Sequence, residues 1–316
     1  MNSRETQNII PTLNDLLRLE YLVATTGFSL LSKQPVHSVL SGKHASKLRG
    51  RGLDFEEVRK YVAGDDIRNI DWRVTARTRT TYTKVFTEEK EKPVLAIVDL
   101  TPGMFFGSQV YTKSFIASQL AAITAFKVLK NGDRFGGIIF NNEKTDIFSP
   151  QRSRKIVLQF LKKLVDNCSF LATEKPLIKS KKELLEQTLL KTVSLVTHDY
   201  LIIVISDFHE ISNTGKKHLI QLAKHNDVIL SKITDPLEKK LPKDKLVLSD
   251  GDLQLLWDFK KKNAGEKYEN TTKKEKNSFL DEMKKYGIPV MEMNTVDTID
   301  VQLKSLFKSK LQARKK

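Results

Sequence analysis

Apolar positions along this 316-residue chain follow one pattern up to Pro93 and another beyond it. After Pro93, short unbroken apolar runs alternate with stretches of helical period, as buried strands joined by helices do. The pattern predicts strand Val94–Leu100, a helix from Lys113 to Leu129, and strand Phe135–Phe140 behind the turn Asn131-Gly132-Asp133. A short strand near Asp146–Phe148, helices Ser153–Val165 and Lys182–Leu195, strand Leu201–Ile205, helix Lys216–Lys224 and strand Val228–Ile233 continue it. Residues Lys245 to Asp258 read as a hairpin around Ser249-Asp250-Gly251-Asp252, ahead of a Lys-rich helix near Lys273–Tyr286 and a last strand at Ile288–Met291. Such alternation implies an α/β fold, a mainly parallel sheet with helices on both faces.

Before Pro93 the order is different. Leu13, Leu16, Leu17, Tyr21 and Ala24 recur at helical spacing behind Pro11 and Thr12, so an amphipathic helix opens the chain. A charged segment from about Gly42 to Lys92 follows, and its end, Thr80 to Glu89, is rich in β-branched and aromatic residues and reads as a strand. The expected division is residues 1–92, an N-terminal helix and a charged, partly β appendage, and residues 93–316, the α/β domain with the hairpin at 245–258 inserted.

The charged segment changes the picture most. Between Arg49 and Arg79 seven arginines face six carboxylates, a near balance that a nucleic-acid patch would not show. Arginine suits bidentate pairing with carboxylates, so an internal ion-pair lattice or a docking surface for a charged partner is the economical reading. Within it Trp72 has two readings: core packing with Asp71 and the arginines paired around it, or an anchor for a partner, since Trp and Arg dominate such surfaces.

Composition narrows the class. Hydrophobic residues at 40% and charged residues at 29% allow a real core, and no apolar run approaches the ~18 residues of a membrane-spanning helix. The polar N-terminus carries no apolar leader pattern, and the single Cys168 forms no internal disulfide, which together point to the cytoplasm. The net charge of +16 is uneven: 21 basic and 16 acidic side chains in residues 1–150, 33 and 22 in the rest, the excess being scattered lysine. Spread in this way, lysine reads first as a solvated surface; the alternative, a nucleic-acid binder, lacks any accompanying aromatic, zinc or Arg-rich motif.

Ligands of open α/β sheets lie beyond the carboxyl ends of the strands. Two apolar runs end there in carboxylates: Val94 to Asp99, followed by Leu100-Thr101-Pro102-Gly103, and Leu201 to Ser206-Asp207. The two aspartates are expected side by side on one rim. His37, His44, His198, His209, His218 and His225 are not at metal-ligand spacing, Cys168 reads as a buried structural thiol, and no phosphate-binding loop is present.

At this point the chain resembles the von Willebrand A-type fold, whose adhesion-type metal site is built from D-x-S-x-S after the first strand, a threonine from a second loop and an aspartate after the fourth strand. Four further segments resemble the MoxR-associated subgroup, domain-of-unknown-function family fifty-eight. They are Gly42-x-His44-x-Ser46; Arg49-Gly50-x-Gly52-x-Asp54-Phe55-x-Glu57-x-Arg59-x-Tyr61; Gly64-Asp65-Asp66-x-Arg68-x-Ile70-Asp71-Trp72-x-x-Thr75-Ala76-Arg77; and Asp235-Pro236-Leu237-Glu238.

The resemblance implies a von Willebrand A-like fold and a non-enzymatic interaction module, an adaptor or co-chaperone of a MoxR-type AAA+ ATPase in the assembly or maturation of a client protein. It implies a degenerate metal site of Asp99, Thr101, Ser180 and Asp207, with Gly103 in place of a serine ligand, whose ion would be Mg²⁺ or a similar cation. The alternative at the same residues is hydrogen bonding by Asp99 and Asp207 to nearby loops and helix starts. Arg49, Arg59, Tyr61, Asp65, Asp66, Arg68, Asp71, Trp72 and Arg77 form the signature, structural or partner-binding. A competing reading is a metal-dependent hydrolase using Asp99, Asp207 and the Asp65-Asp66 pair.

Overall fold

The computed structural model describes residues 8–25, 53–88, 92–173, 181–209, 211–239, 246–249, 254–257 and 278–313. The chain forms two compact units, Leu31–Glu91 on one hand and Met1–Leu30 with Lys92–Lys316 on the other.

The larger unit is built on a six-stranded sheet. Its strands are β3 (Pro93–Asp99), β4 (Arg134–Phe140), β5 (Thr145–Gln151), β6 (Leu201–Ser206), β7 (Asp227–Thr234) and β10 (Val290–Asn294), in the order β10-β7-β6-β3-β4-β5. All neighbours run parallel except β5, which turns back on β4 as an antiparallel edge. The chain builds outward from β3 to β4 and β5, then returns to lay β6, β7 and β10 on the other side. The order therefore reverses between β3 and β6, where α/β sheets form their crevice.

Every residue of β3 and β6 is buried, as continuous apolar strands covered on both faces must be. One face carries Leu95, Ile97, Ile138, Phe140, Ile202, Val204, Val228 and Leu230. Against it pack α5 (Lys181–Leu195), α6 (Asn213–Ala223) and a helix over 278–285, here α8, through Leu185, Leu189, Leu219, Leu222, Phe279 and Met283.

The other face is covered by α3 (Lys113–Lys130), which is buried almost all round because α4 (Arg154–Thr173), α1 (Leu13–Thr25) and α9 (Ile299–Ala313) pack on it in turn. Phe160 of α4 meets Phe135 and Phe148 edge-on at ring centroids 5.0 and 5.6 Å away. It lies so close to the sheet that only a residue without a side chain fits beneath it: a Cβ on Gly137 would stand 2.3 Å from the Phe160 ring.

Helix α1, grouped with the charged segment in the sequence reading, belongs to the larger unit. Its buried stripe is Leu16, Leu19 and Val23, leaving Tyr21 and Ala24 outward. Thr12 and Asp15 cap it reciprocally, and the Lys130 ammonium donates to the carbonyls of Val23 and Ala24 at its far end. Strands β8 (Leu246–Ser249) and β9 (Gln254–Trp257) pair as the expected antiparallel hairpin. Helix α9 has no counterpart in the sequence reading, and α6 starts three residues earlier than expected because Ser212 caps it through Gly215 N–H.

The smaller unit is a two-stranded antiparallel ribbon, β1 (Leu53–Lys60) and β2 (Tyr82–Glu88), with a bulge between Phe55 and Glu57. The residues joining the strands form a 3-10 turn (Ile67–Asn69) and a short helix, α2 (Trp72–Thr78), closed by Arg79 in the left-handed region at φ 55°. Among the described residues, no helix is long and apolar enough to cross a membrane.

Candidate functional site: the carboxyl rim of the sheet

Asp99 ends β3 and Asp207 follows β6, and because Val98 lies beside Ile205 in register, both carboxylates stand at the crevice between these strands. This is the juxtaposition expected from the apolar runs they close. Asp99 is fully buried; its Oδ1 accepts the backbone N–H and hydroxyl of Thr101 at 3.0 and 2.7 Å, and its Oδ2 accepts the Ser206 hydroxyl at 2.5 Å. The hydroxyls of Thr101 and Ser206 thus serve one carboxylate. Asp207 accepts His209 N–H at 2.9 Å on Oδ1, and on Oδ2 it meets Lys113 Nζ at 3.1 Å.

Lys113 is the residue the sequence reading missed. It is the first residue of α3 and only 3% exposed, and its ammonium lies between Asp207 and Glu238, with the Phe106 ring centroid 5.6 Å away. A buried charge is tolerated only when paired and hydrogen-bonded, and Lys113 has two carboxylates.

Glu238 reaches Lys113 from α7 (Pro236–Lys239), whose geometry explains Asp235-Pro236-Leu237-Glu238. Asp235 caps the helix by accepting Leu237 N–H at 2.9 Å, Pro236 occupies the first position, and Glu238 Oε2 accepts Asp235 N–H at 3.2 Å, a reciprocal box. The other oxygen of each carboxylate faces the rim: Glu238 Oε1 takes the Lys113 ammonium, and Asp235 Oδ2 accepts Ser108 N–H at 2.9 Å and the Thr295 hydroxyl at 2.6 Å. Burial raises the Asp235 pKa, but these donors outweigh it and hold the carboxyl below its usual value.

The loop between β3 and α3 is drawn down onto these groups. Tyr111 N–H donates to Thr295 O and Lys113 N–H to Phe106 O, and Gly107 lies so close to the Tyr111 carbonyl that a Cβ there would be 2.0 Å from its oxygen. Phe106 and Val110 remain exposed on its outside.

Of the residues expected to ligate a metal, the rim brings together Asp99, Thr101 and Asp207, while Ser180 lies outside the described residues. Each carboxylate oxygen of Asp99, Asp207, Asp235 and Glu238 already accepts at least one hydrogen bond. Among the described residues, no three His, Cys, Asp or Glu side chains converge on a point that a metal ion could take. Among the described residues the donor set is a poor fit to a divalent ion, which takes about six oxygens with water among them, because every carboxylate oxygen at the rim is already turned to a protein donor. Asp99 and Asp207 accept backbone N–H groups of the loops that follow them, from Thr101 and His209.

In the smaller unit the signature residues take separate roles. Arg59 grips Asp65 through both nitrogens, at 2.8 and 2.7 Å, and Asp65 also accepts Val62 N–H, so the carboxyl is held below its ordinary range, chiefly by Arg59. Asp66 caps the 3-10 turn through Arg68 N–H. Asp71 caps α2 through Arg73 and Val74 N–H and pairs with Lys84 at 3.6 Å, which lowers its pKa, Val74 contributing most. Tyr61 is half-buried; Arg68 is exposed and only 3.9 Å from Asp66; Arg49 lies outside the described residues.

Core packing of Trp72 is not what the structure has. The indole is 69% exposed, because α2 is seven residues long and buries none of them. Val62 and Ile67 are exposed with it, and Arg73, Arg77 and Arg79 are exposed without an ion pair among the described residues.

The model of the family described as protein of unknown function DUF58 matches residues 57–278, from β1 of the smaller unit to the start of α8. The chain belongs to the DUF58 family. This member is 34% identical over 112 residues to uncharacterized proteins of Mycobacterium bovis and Mycobacterium tuberculosis. It spans about a third of the length of these curated relatives, 35% of theirs and 35% of its own. Among solved structures it is similar to BatB, a conserved hypothetical protein of Bacteroides thetaiotaomicron (14% identity, TM-score 0.39, 71% of this chain and 100% of that one). It is also similar to an aerotolerance-related membrane protein of Bacteroides fragilis (15% identity, TM-score 0.38, 69% and 97%).

Proposed function

We propose that this DUF58 protein is a non-enzymatic interaction module of von Willebrand A-like architecture, an adaptor that works with a MoxR-type AAA+ ATPase in the assembly or maturation of other proteins. The observation that carries the reading is the exposed Trp72 of the smaller unit, in which Val62, Ile67, Arg73, Arg77 and Arg79 are exposed as well and the three arginines have no ion pair among the described residues. Trp and Arg are the residues that dominate the energetics of protein interfaces, and a tryptophan left in water on a helix with no buried residue has no packing role there. The signature carboxylates Asp65, Asp66 and Asp71 are engaged in bonds within the unit, while the guanidiniums of Arg73, Arg77 and Arg79 are exposed and can pair with carboxylates of a partner.

The rim of the larger unit supports the same reading. Its carboxylates bind one another's neighbours in a closed network, the arrangement of a scaffold that holds loop 100–112 in one shape, with Phe106 and Val110 outward. The strand order, with an antiparallel edge at β5 and aspartates at the reversal point, favours the von Willebrand A-like description.

The test is affinity capture of a MoxR-type AAA+ ATPase from the same cells, in its ATP-analogue-bound state. Wild type retains it, and Trp72→Ala combined with Arg77→Ala releases it. Failure of the wild type to retain any such ATPase in any nucleotide state ends the proposal.

A further inference from the structure

We infer that the Lys113 ammonium is the resident cation of the carboxyl rim, so that this von Willebrand A-like surface works without the divalent metal that its architecture otherwise implies. The inference concerns the rim alone and does not depend on which partner the adaptor engages.

The strand order reverses between β3 and β6, and a ligand or ion of an α/β sheet belongs above that reversal. Here the first residue of the helix after β3 sends its side chain to the carboxylate after β6, and Asp207 Oδ2 is 3.1 Å from Nζ. Glu238, from the short helix after β7, meets the same nitrogen, and the Phe106 ring lies over it. Positive charge thus sits among groups delivered by three successive strand ends, and Lys113 and Asp207 are 96% or more buried.

Charge and coordination both argue against a second cation. A lysine ammonium is a compact point charge, and a divalent ion bound to Asp207 would have to lie within a few ångströms of it with little water between. Magnesium demands near-octahedral oxygen at about 2.1 Å. Among the described residues the oxygens at the rim are turned to donors, Thr101 and Ser206 directing their hydroxyl protons at Asp99, and Gly103 brings no hydroxyl. A lysine needs none of this coordination: three N–H donors and two carboxylates satisfy it.

Mn²⁺ titration of the whole chain, followed by calorimetry and by the electron-paramagnetic signal of free Mn²⁺, tests the inference on wild type, Asp207→Asn and Lys113→Ala. The expected result is no uptake by wild type that Asp207→Asn removes, and a new Mn²⁺ site in Lys113→Ala that Mg²⁺ competes for and that a Lys113→Ala/Asp207→Asn double variant loses. Stoichiometric binding to wild type that disappears in Asp207→Asn overturns the inference, as does a folded Lys113→Ala that takes up no Mn²⁺. If circular dichroism shows Lys113→Ala unfolded, the wild-type and Asp207→Asn titrations decide the matter by themselves.

Discussion

Asp235 illustrates how much one side chain can hold together. Its carboxylate caps α7 and takes the Ser108 amide and Thr295 hydroxyl, so it joins the ends of β7 and β10 to the loop before α3. Asp235→Asn removes the charge from these bonds and is expected to cost about 1–3 kcal/mol in urea unfolding. Because the folded carboxyl titrates below its unfolded value of roughly 4, its contribution is complete above that pH and is lost as pH falls through the folded value. The difference between wild type and Asp235→Asn should therefore shrink on acidification below about pH 4, and a difference that grew there would contradict the assignment. Cys168 makes a simpler case. Burial pushes its thiol up to about 12, against the smaller opposing effect of the Ser118 and Ser114 hydroxyls. The native protein is expected to leave a disulfide reagent unreacted at pH 8 and to react at once in denaturant.

At the scale of elements, the tightest contact is that of β4 with α4. Gly137→Ala drives a methyl group into the Phe160 ring and is expected to lower stability by about 1–3 kcal/mol, an effect that Phe160→Leu in the same chain should reduce. Helix α2 rests on its cap, since it buries nothing. Asp71→Ala is expected to speed amide hydrogen exchange across residues 72–78 and leave that of β3 and β6 unchanged.

The same elements explain what was legible. Strands β3 and β6 could be read because strands covered on both faces are unbroken apolar runs, β4 and β7 from shorter apolar runs within them, and α3, α4 and α5 from their helical period. Helix α2 was hidden because its sequence, Trp72 to Thr78, has no apolar stripe to betray it and owes its start to Asp71. Helix α9 carries Ile299, Leu303, Leu306, Phe307 and Leu311 at helical spacing, so its period was present in the sequence although the helix was not among the expected elements. Strand β1 alternates charges, the mark of an exposed ribbon rather than a core strand.

For the whole molecule, the rim was half legible. Asp99 and Asp207 each end an apolar run, so local sequence pointed to them. Glu238 is 125 residues from Lys113, and no local pattern joins them. The two-unit organisation carries a prediction of its own: Trp72→Ala should change global stability by no more than about 0.5 kcal/mol in denaturant unfolding, while reducing capture of the partner. A large loss of stability would instead make Trp72 a structural residue.

The middle of the sheet also carries a consequence for synthesis on the ribosome. Ser206 and Asp99, which close the β6–β3 pair, are 107 residues apart, so β3 emerges long before the strand that covers its free side. A nascent or truncated chain ending ahead of Leu201 presents β3 as an open edge that is apolar from Pro93 to Val98, a template for pairing with other chains. Such fragments should precipitate where the full-length chain stays dispersed, and their rescue during translation would fall to cellular holdases.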